Sequence, residues 1–164
     1  ITVPRFIVGM KNSLNEKGYM NSSSTNTGGW SSCARRTWCN SVFKPSLPST
    51  LVGIFKEFTW KQGKGGGSSS GLNTTTDYFA LTPEKAIFGS RSYSYSDEAA
   101  LYSQWVWYQT SSNRVKKVVS SAGIWWECSP CSGNSSVFCD VASDGSAGGD
   151  YASGTRGLAV FGCI

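Results

Sequence analysis

The sequence predicts an α+β domain, and three observations carry that prediction. Segments with apolar residues at three- and four-residue spacing lie in the first two thirds of the chain. From Ile124 onward, short apolar runs (IWW, SSVFCDV, GLAVFGCI) alternate with loops rich in Gly, Ser, Asp and Asn, the pattern of a small, loop-laden sheet. The third observation is sufficiency: 164 residues with 39% apolar and 13% aromatic side chains can bury one core despite a charged fraction of only 15%. One domain spanning 1–164 is expected.

The elements follow in order. ITVPRFIV reads as a strand in which Pro4 marks an edge or a bulge. A polar, turn-rich run (21–29) precedes a helix capped by Ser31 or Ser32, with Ala34, Trp38 and Val42 on one face beside Cys39 and Phe43. Pro45 and Pro48 end it, and Ser49 opens a second short helix with Leu51, Ile54, Phe55 and Phe58 inward. KQGKGGGSSSG (61–71) reads as a mobile loop, since its glycines lack the terminal GK[ST] and the preceding strand of a phosphate-binding loop. DYFAL (77–81) is a strand, and Thr82-Pro83-Glu84 caps a helix. Ser96 caps another, with Leu101, Trp105 and Tyr108 as a core-facing stripe. NRVKKVV reads as an exposed edge strand guarded by its lysines, and the terminal segments IVG and FGCI are candidates to pair.

Composition excludes several functions. With no histidine, a Ser-His-Asp or Cys-His nucleophile cannot be built and imidazole zinc sites are absent. The net charge of +5 is uneven: residues 1–124 hold 14 basic and 6 acidic side chains, net +8, and residues 125–164 set Arg156 against Glu127, Asp140, Asp144 and Asp150, net −3. The basic residues are scattered rather than striped, so no nucleic-acid partner is expected. No apolar run is long enough for a membrane span, and no signal peptide is visible. The chain opens at Ile1, and the expectation is the C-terminal part of a longer protein.

Six cysteines at 33, 39, 128, 131, 139 and 163 show no pairing pattern that demands a disulfide framework. Cys128 and Cys131 form a CxxC in WECSPCSG, which leaves three readings open: a zinc site completed by Cys139 and Cys163, a redox pair, or incidental cysteines. The Gly/Ser/Asn loop that follows suits neither specialised reading. Four carboxylates and SDGS suggest calcium, but the EF-hand spacing is absent and Asp-Gly is ordinary turn chemistry. No metal and no cofactor are expected.

What is missing from the tail is more informative. Residues 128–164 contain no Met, Trp, Gln, Lys or Glu, although residues 1–127 use all five. These are the amino acids that a codon ending in a pyrimidine cannot encode. A solvated surface ordinarily uses Lys, Glu and Gln freely, so the segment reads as a product of restricted codon choice.

Taken with NSSSTNTGGW (21–30), LPSTL (47–51), DYFALTPEKAIFGSRSY (77–93), WWECSP (125–130), NSSVFCDV (134–141), DGSA (144–147) and RGLAVFGCI (156–164), the chain resembles the C-terminal variable proteins of diversity-generating retroelements. The group it resembles comes from gut bacteria and their phages. That resemblance covers nearly the whole chain and implies a C-type lectin-like fold: short helices packed on a small, mostly antiparallel sheet with long loops. Copying errors at template adenines would rewrite codons in the region 125–164. The rewritten, ligand-binding positions implied are Cys128, Cys131, Val137, Asp140, Ala142, Gly148, Gly149, Asp150, Tyr151, Gly154 and Thr155. Family members often carry Arg at the position of Cys128, and Glu127 is scaffold because no pyrimidine-ending codon encodes it. Trp125, Trp126, Phe138 and Phe161 would form the fixed floor. The implied role is a non-enzymatic binding module on a phage tail tip or bacterial surface, facing a variable protein or glycan. Loops on a rigid scaffold suit it, with Tyr151 as the one large anchor beside two side-chain-free glycines. Two alternatives are a thiol- and metal-dependent enzyme resembling formylglycine-generating enzymes, and a calcium-dependent lectin, whose Glu-Pro-Asn or Gln-Pro-Asp signature is absent here.

Overall fold

A computed structural model describes residues 17–118 and 121–164, so the strand expected at ITVPRFIV and its IVG segment lie outside the described residues. The fold is α+β. Seven short helices are described: α1 (Gly29–Ser32), α2 (Ala34–Trp38), α3 (Lys44–Ser46), α4 (Ser49–Val52), α5 (Glu84–Phe88), α6 (Ser96–Ala99) and α7 (Val106–Gln109). Helices of about one turn have no stability of their own, so packing must hold them. The strands are β1 (Lys17–Gly18), β2 (Phe58–Gly63), β3 (Leu72–Asp77), β4 (Phe79–Leu81), β5 (Lys116–Val118), β6 (Ser121–Gly123), β7 (Trp125–Pro130), β8 (Val137–Val141), β9 (Ala147–Tyr151), β10 (Arg156–Leu158) and β11 (Val160–Gly162).

The main sheet has the order β1-β10-β7-β8-β9, and only the β10–β7 pairing in it is parallel. β2 and β3 form a hairpin, as do β5 and β6. β11 pairs with β4, Phe161 opposite Ala80, so the chain end that might have met IVG is tied to the middle of the sequence.

β7 sits at the centre and is buried along its whole length, which is why WWECSP shows no polar alternation. Successive strand side chains leave on opposite faces, so Trp125 and Trp126 enter different cores. Trp126 joins Trp30, Trp60, Phe79, Phe138 and Phe161 in the larger one. Trp125 joins Ile87, Tyr108, Val141 and Ala159 in the smaller one. Phe161 meets Trp60 edge-on at 5.8 Å and Trp105 at 5.0 Å between ring centroids, an arrangement that the aromatic quadrupole favours.

The helical regions differ from the periodicity in register. Cys33 is extended (φ −77°, ψ 146°), breaks the first run, and caps α2 by accepting from the Arg36 amide, so neither Ser31 nor Ser32 is the cap. A π-helical turn at Cys39–Phe43 then rotates the face: Arg35 and Cys39 are buried, whereas Ala34 and Val42 are exposed. Pro45 lies within α3, and Leu47 and Pro48, both extended, end it. Helix α4 stops at Gly53, leaving Ile54 exposed and placing Phe58 in β2. Leu101, Trp105 and Tyr108 do not share one helix, because the Trp105 amide turns aside to bond the Ala86 carbonyl. The stripe is core nonetheless: Trp105 stacks on Tyr108 and Tyr108 on Trp125.

Lys116 corrects the guarded-edge reading of NRVKKVV. It is buried, with its ammonium 3.4 Å from the Asn113 carbonyl and over the Trp125 and Tyr108 rings at 5.2 and 5.7 Å, and burial lowers its pKa to about 8. Of the two lysines, Lys117 is the one that faces solvent.

Candidate functional site

The β8–β9 hairpin is the element on which the tail's unusual composition falls. Its register places Val137 opposite Tyr151 and Cys139 opposite Gly149 on one face, and Phe138 opposite Asp150 and Asp140 opposite Gly148 on the other. The first face opens into a pocket of about 460 Å³ lined by Arg91, Ser92, Tyr93, Cys131, Ser132, Asn134, Val137 and Gly149. Gly149 keeps it open: a Cβ there would come within 3.1 Å of both Cys131 Sγ and a Val137 methyl. Tyr151 stands at the rim with 60% of its surface exposed.

Buried polar groups hold the pocket's walls. Asn26, from the NSSSTNTGG run, donates its amide to the Asn134 and Val137 carbonyls at 2.7 Å and accepts from the Gly66 amide at 2.8 Å. It thereby ties the 131–136 loop to the glycine-rich loop. Those glycines are not merely flexible: Gly65 has φ 69°, and a Cβ on it would meet the Asn26 carbonyl at 1.8 Å. On the opposite wall, the fully buried Glu84 carboxylate accepts from the Tyr93 and Ser94 amides and the Ser94 hydroxyl. Ser129 of β7 accepts from the Glu84 amide and donates to Glu98, which also accepts from the Gly63 amide at 2.6 Å. Burial raises the Glu98 pKa to about 7 against these hydrogen bonds. Glu127, the scaffold carboxylate, is buried without a partner for either oxygen among the described residues, and burial pushes its pKa far up.

The candidate positions divide by strand face. Cys131, Val137 and Gly149 line the pocket and Tyr151 flanks it. Asp140, Gly148 and Asp150 lie on the other face, where Asp150 pairs with Arg156. Asp140 is buried, which lifts its pKa to about 6 although Arg156 pulls it down. Ala142 and Gly154 are half-buried in turns, and Thr155 is exposed beside a smaller pocket of about 230 Å³ with Lys17, Gly123 and Arg156.

Cys128 is the correction among them. It is fully buried in the larger core, where burial and the neighbouring Glu98 and Glu127 hold its thiol well above the usual range, so it cannot touch an external ligand. The floor residues Trp125, Trp126, Phe138 and Phe161 are all fully or almost fully buried.

The CxxC is not a unit. Cys128 points into the core, Cys131 lines the pocket, and the nearest sulfur to Cys131 is Cys139 Sγ at 3.4 Å. The four cysteines proposed for zinc do not assemble: among the described residues, no group of three or more His, Cys, Asp or Glu side chains is placed to hold a metal. Asp144 closes a turn on the Ser146 amide and hydroxyl, with Gly145 at φ 85°.

Sequence reasoning missed Arg91, Ser92, Tyr93, Ser132 and Asn134. Loop 89–95 carries no signal of binding in its residue types, and its contribution depends on a buried glutamate seven residues upstream of Arg91. Asn26 was visible only as part of a turn-rich run.

The fold and site together define an α+β domain with an open pocket between the β8–β9 hairpin, the loop after β7 and residues 91–93. The profile of a family described as a domain of unknown function (DUF6273) matches residues 7–162, and the chain belongs to that family. No curated protein and no solved structure matches it. Among the described residues no helix is long and apolar enough to cross a membrane.

Proposed function

We propose that this domain is a ligand-binding module of C-type lectin-like fold whose C-terminal surface is diversified by a retroelement, displayed on a phage tail tip or bacterial surface. One observation carries the reading: the segment that lacks Met, Trp, Gln, Lys and Glu, 128–164, is the segment that supplies β8, β9 and one wall of the pocket. Restricted codon choice has no structural reason to stop at that boundary, whereas a system that rewrites a binding face does.

The chemistry of the pocket suits recognition. Val137 and Tyr151 give apolar and aromatic contact, Ser132 and Asn134 adaptable hydrogen bonds, and Arg91 a fixed guanidinium, a mixture that serves a protein or glycan partner. With Gly149 contributing no side chain on the pocket face and Gly148 none on the other, this variant offers a shallow surface. Its affinity then rests on Tyr151 as the one large exposed anchor beside the pocket.

Sequencing many copies of the gene locus tests the proposal. Substitutions should cluster at codons of the exposed and pocket-lining positions and match adenines of a nearby template repeat. Changes spread evenly over the chain, or a locus without such a repeat, would overturn it.

A further inference from the structure

We propose that Cys131 and Cys139 are a redox-active dithiol that closes to a disulfide on the wall of the pocket when it meets a disulfide oxidant such as glutathione disulfide. The proposal does not depend on the binding role above. Its basis is geometric. The Cys131 amide bonds the Val137 carbonyl at 3.0 Å, so Cys131 faces Val137, and Cys139, two residues further along β8, presents its side chain to the same side. The sulfurs stand 3.4 Å apart as free thiols, and an approach to about 2 Å completes the bond.

A second sulfur within reach, together with access at one of the two, singles out this pair. Cys33, Cys39 and Cys128 are enclosed in the larger core and Cys163, 8% exposed, does not line the pocket, whereas Cys131, 7% exposed, lines it beside Arg91 with the buried Cys139 sulfur behind it. The guanidinium favours approach of an oxidant carrying carboxylates, as glutathione disulfide does. In the first step the Cys131 thiolate attacks one sulfur of the oxidant, forming a mixed disulfide and expelling one glutathione thiolate, which takes up a proton. In the second, the Cys139 thiol gives up its proton and attacks the Cys131 sulfur, forming the Cys131–Cys139 bond and releasing a second glutathione. Two protein thiols are oxidised and one oxidant disulfide is reduced to two thiols. Ser132 and Asn134 lie within the ring so closed, and oxidation stiffens the wall they form.

The test treats folded, fully reduced protein with glutathione disulfide and maps the product by mass spectrometry. The expected product is lighter by two hydrogens, cross-linked between Cys131 and Cys139, with Cys33, Cys39, Cys128 and Cys163 free. Cys139→Ser should instead retain glutathione on Cys131, and Cys131→Ser should give neither product. Phenylarsine oxide, which bridges two neighbouring thiols, should bind the wild-type protein and neither variant. The proposal is overturned if folded wild-type protein keeps both thiols free while small-molecule thiols in the same tube are oxidised, or if the cross-link uses another cysteine. Should either variant fail to fold, the wild-type map decides alone.

Discussion

Raising the pH from 5 to 8 should weaken the fold, because Glu98 and Glu127, both buried with raised pKa values and the latter without a partner among the described residues, each hold a proton that the unfolded chain releases. Glu98 gives the part that can be sized. Its carboxylate is buried between the Gly63 amide and the Ser129 hydroxyl, and its pKa rises from the ordinary 4.5 to about 7 because desolvation outweighs those two hydrogen bonds. The folded state therefore holds a proton that the unfolded chain releases above pH 4.5. Stability from this group is fully present below the unfolded value and is lost as pH climbs through about 7. Moving the carboxyl from 4.5 to about 7 corresponds to roughly 3 kcal/mol. Asp140, lifted to about 6, acts in the same direction over the lower part of the window. Lys116, depressed to about 8, changes the balance only above that pH, with stability rising there. Comparing wild type with Glu98→Gln isolates the one carboxylate. Urea unfolding of both proteins at pH 5, 6, 7 and 8 should show the variant gaining about 3 kcal/mol relative to wild type across the series. A constant difference between the two proteins, or a gap that moves the other way, would refute the placement of an ionisable Glu98 in a desolvated site.

Three further outcomes are expected. Asp77→Ala should cost roughly 3–5 kcal/mol by chemical denaturation, because one buried carboxylate there accepts from Trp30, Trp60, Thr75, Arg36 and Asn40, and its loss leaves the two indole N–H groups, the Thr75 hydroxyl and the Arg36 Nε without their acceptor, while Asn40 keeps the Arg36 and Phe79 carbonyls. Tyr151→Asn should leave stability within about 0.5 kcal/mol, whereas Cys128→Asp should cost several kcal/mol, by burying a charge beside Glu98 and Glu127; Cys128→Arg, a countercharge to those acids, should cost less. Asn26→Ala should speed amide exchange in the 131–136 and 64–67 loops and lower stability by about 1–3 kcal/mol, through three lost hydrogen bonds at a buried side chain.

The α+β class and the burial of the large aromatics were legible in the sequence because strand alternation and aromatic bulk are local signals. Trp125, Trp126, Phe138 and Phe161 could be placed inside without knowing the topology. The helices were legible as helical but not in register. Cys33 takes an extended conformation and Cys39–Phe43 a π-turn for reasons of packing around Arg35 and Cys39, and no spacing rule encodes either. The interior carboxylates were invisible for a different reason. Glu84, Glu98 and Glu127 look like surface residues by type, and only the three-dimensional supply of amides and hydroxyls explains the first two.

The candidate site shows a sharper division. Missing residue types mark a stretch of gene, and a codon rule is blind to burial. It treats Cys128 and Tyr151 alike, although one is sealed in the core and the other stands 60% exposed. The strand period supplies the distinction. Along β8 and β9 alternate residues face the pocket, so Val137, Gly149 and Tyr151 form one surface while Asp140, Gly148 and Asp150 form another around Arg156. A large side chain is not free at every exposed codon either, since a Cβ on Gly148 would meet the Asp140 carboxylate at 2.4 Å. A side chain at 148 therefore requires the Asp140 carboxylate to swing away or a smaller residue at 140: Gly148→Ser should lower stability, Asp140→Ala should relieve part of that loss, and a change at 151 should be additive with both in chemical denaturation.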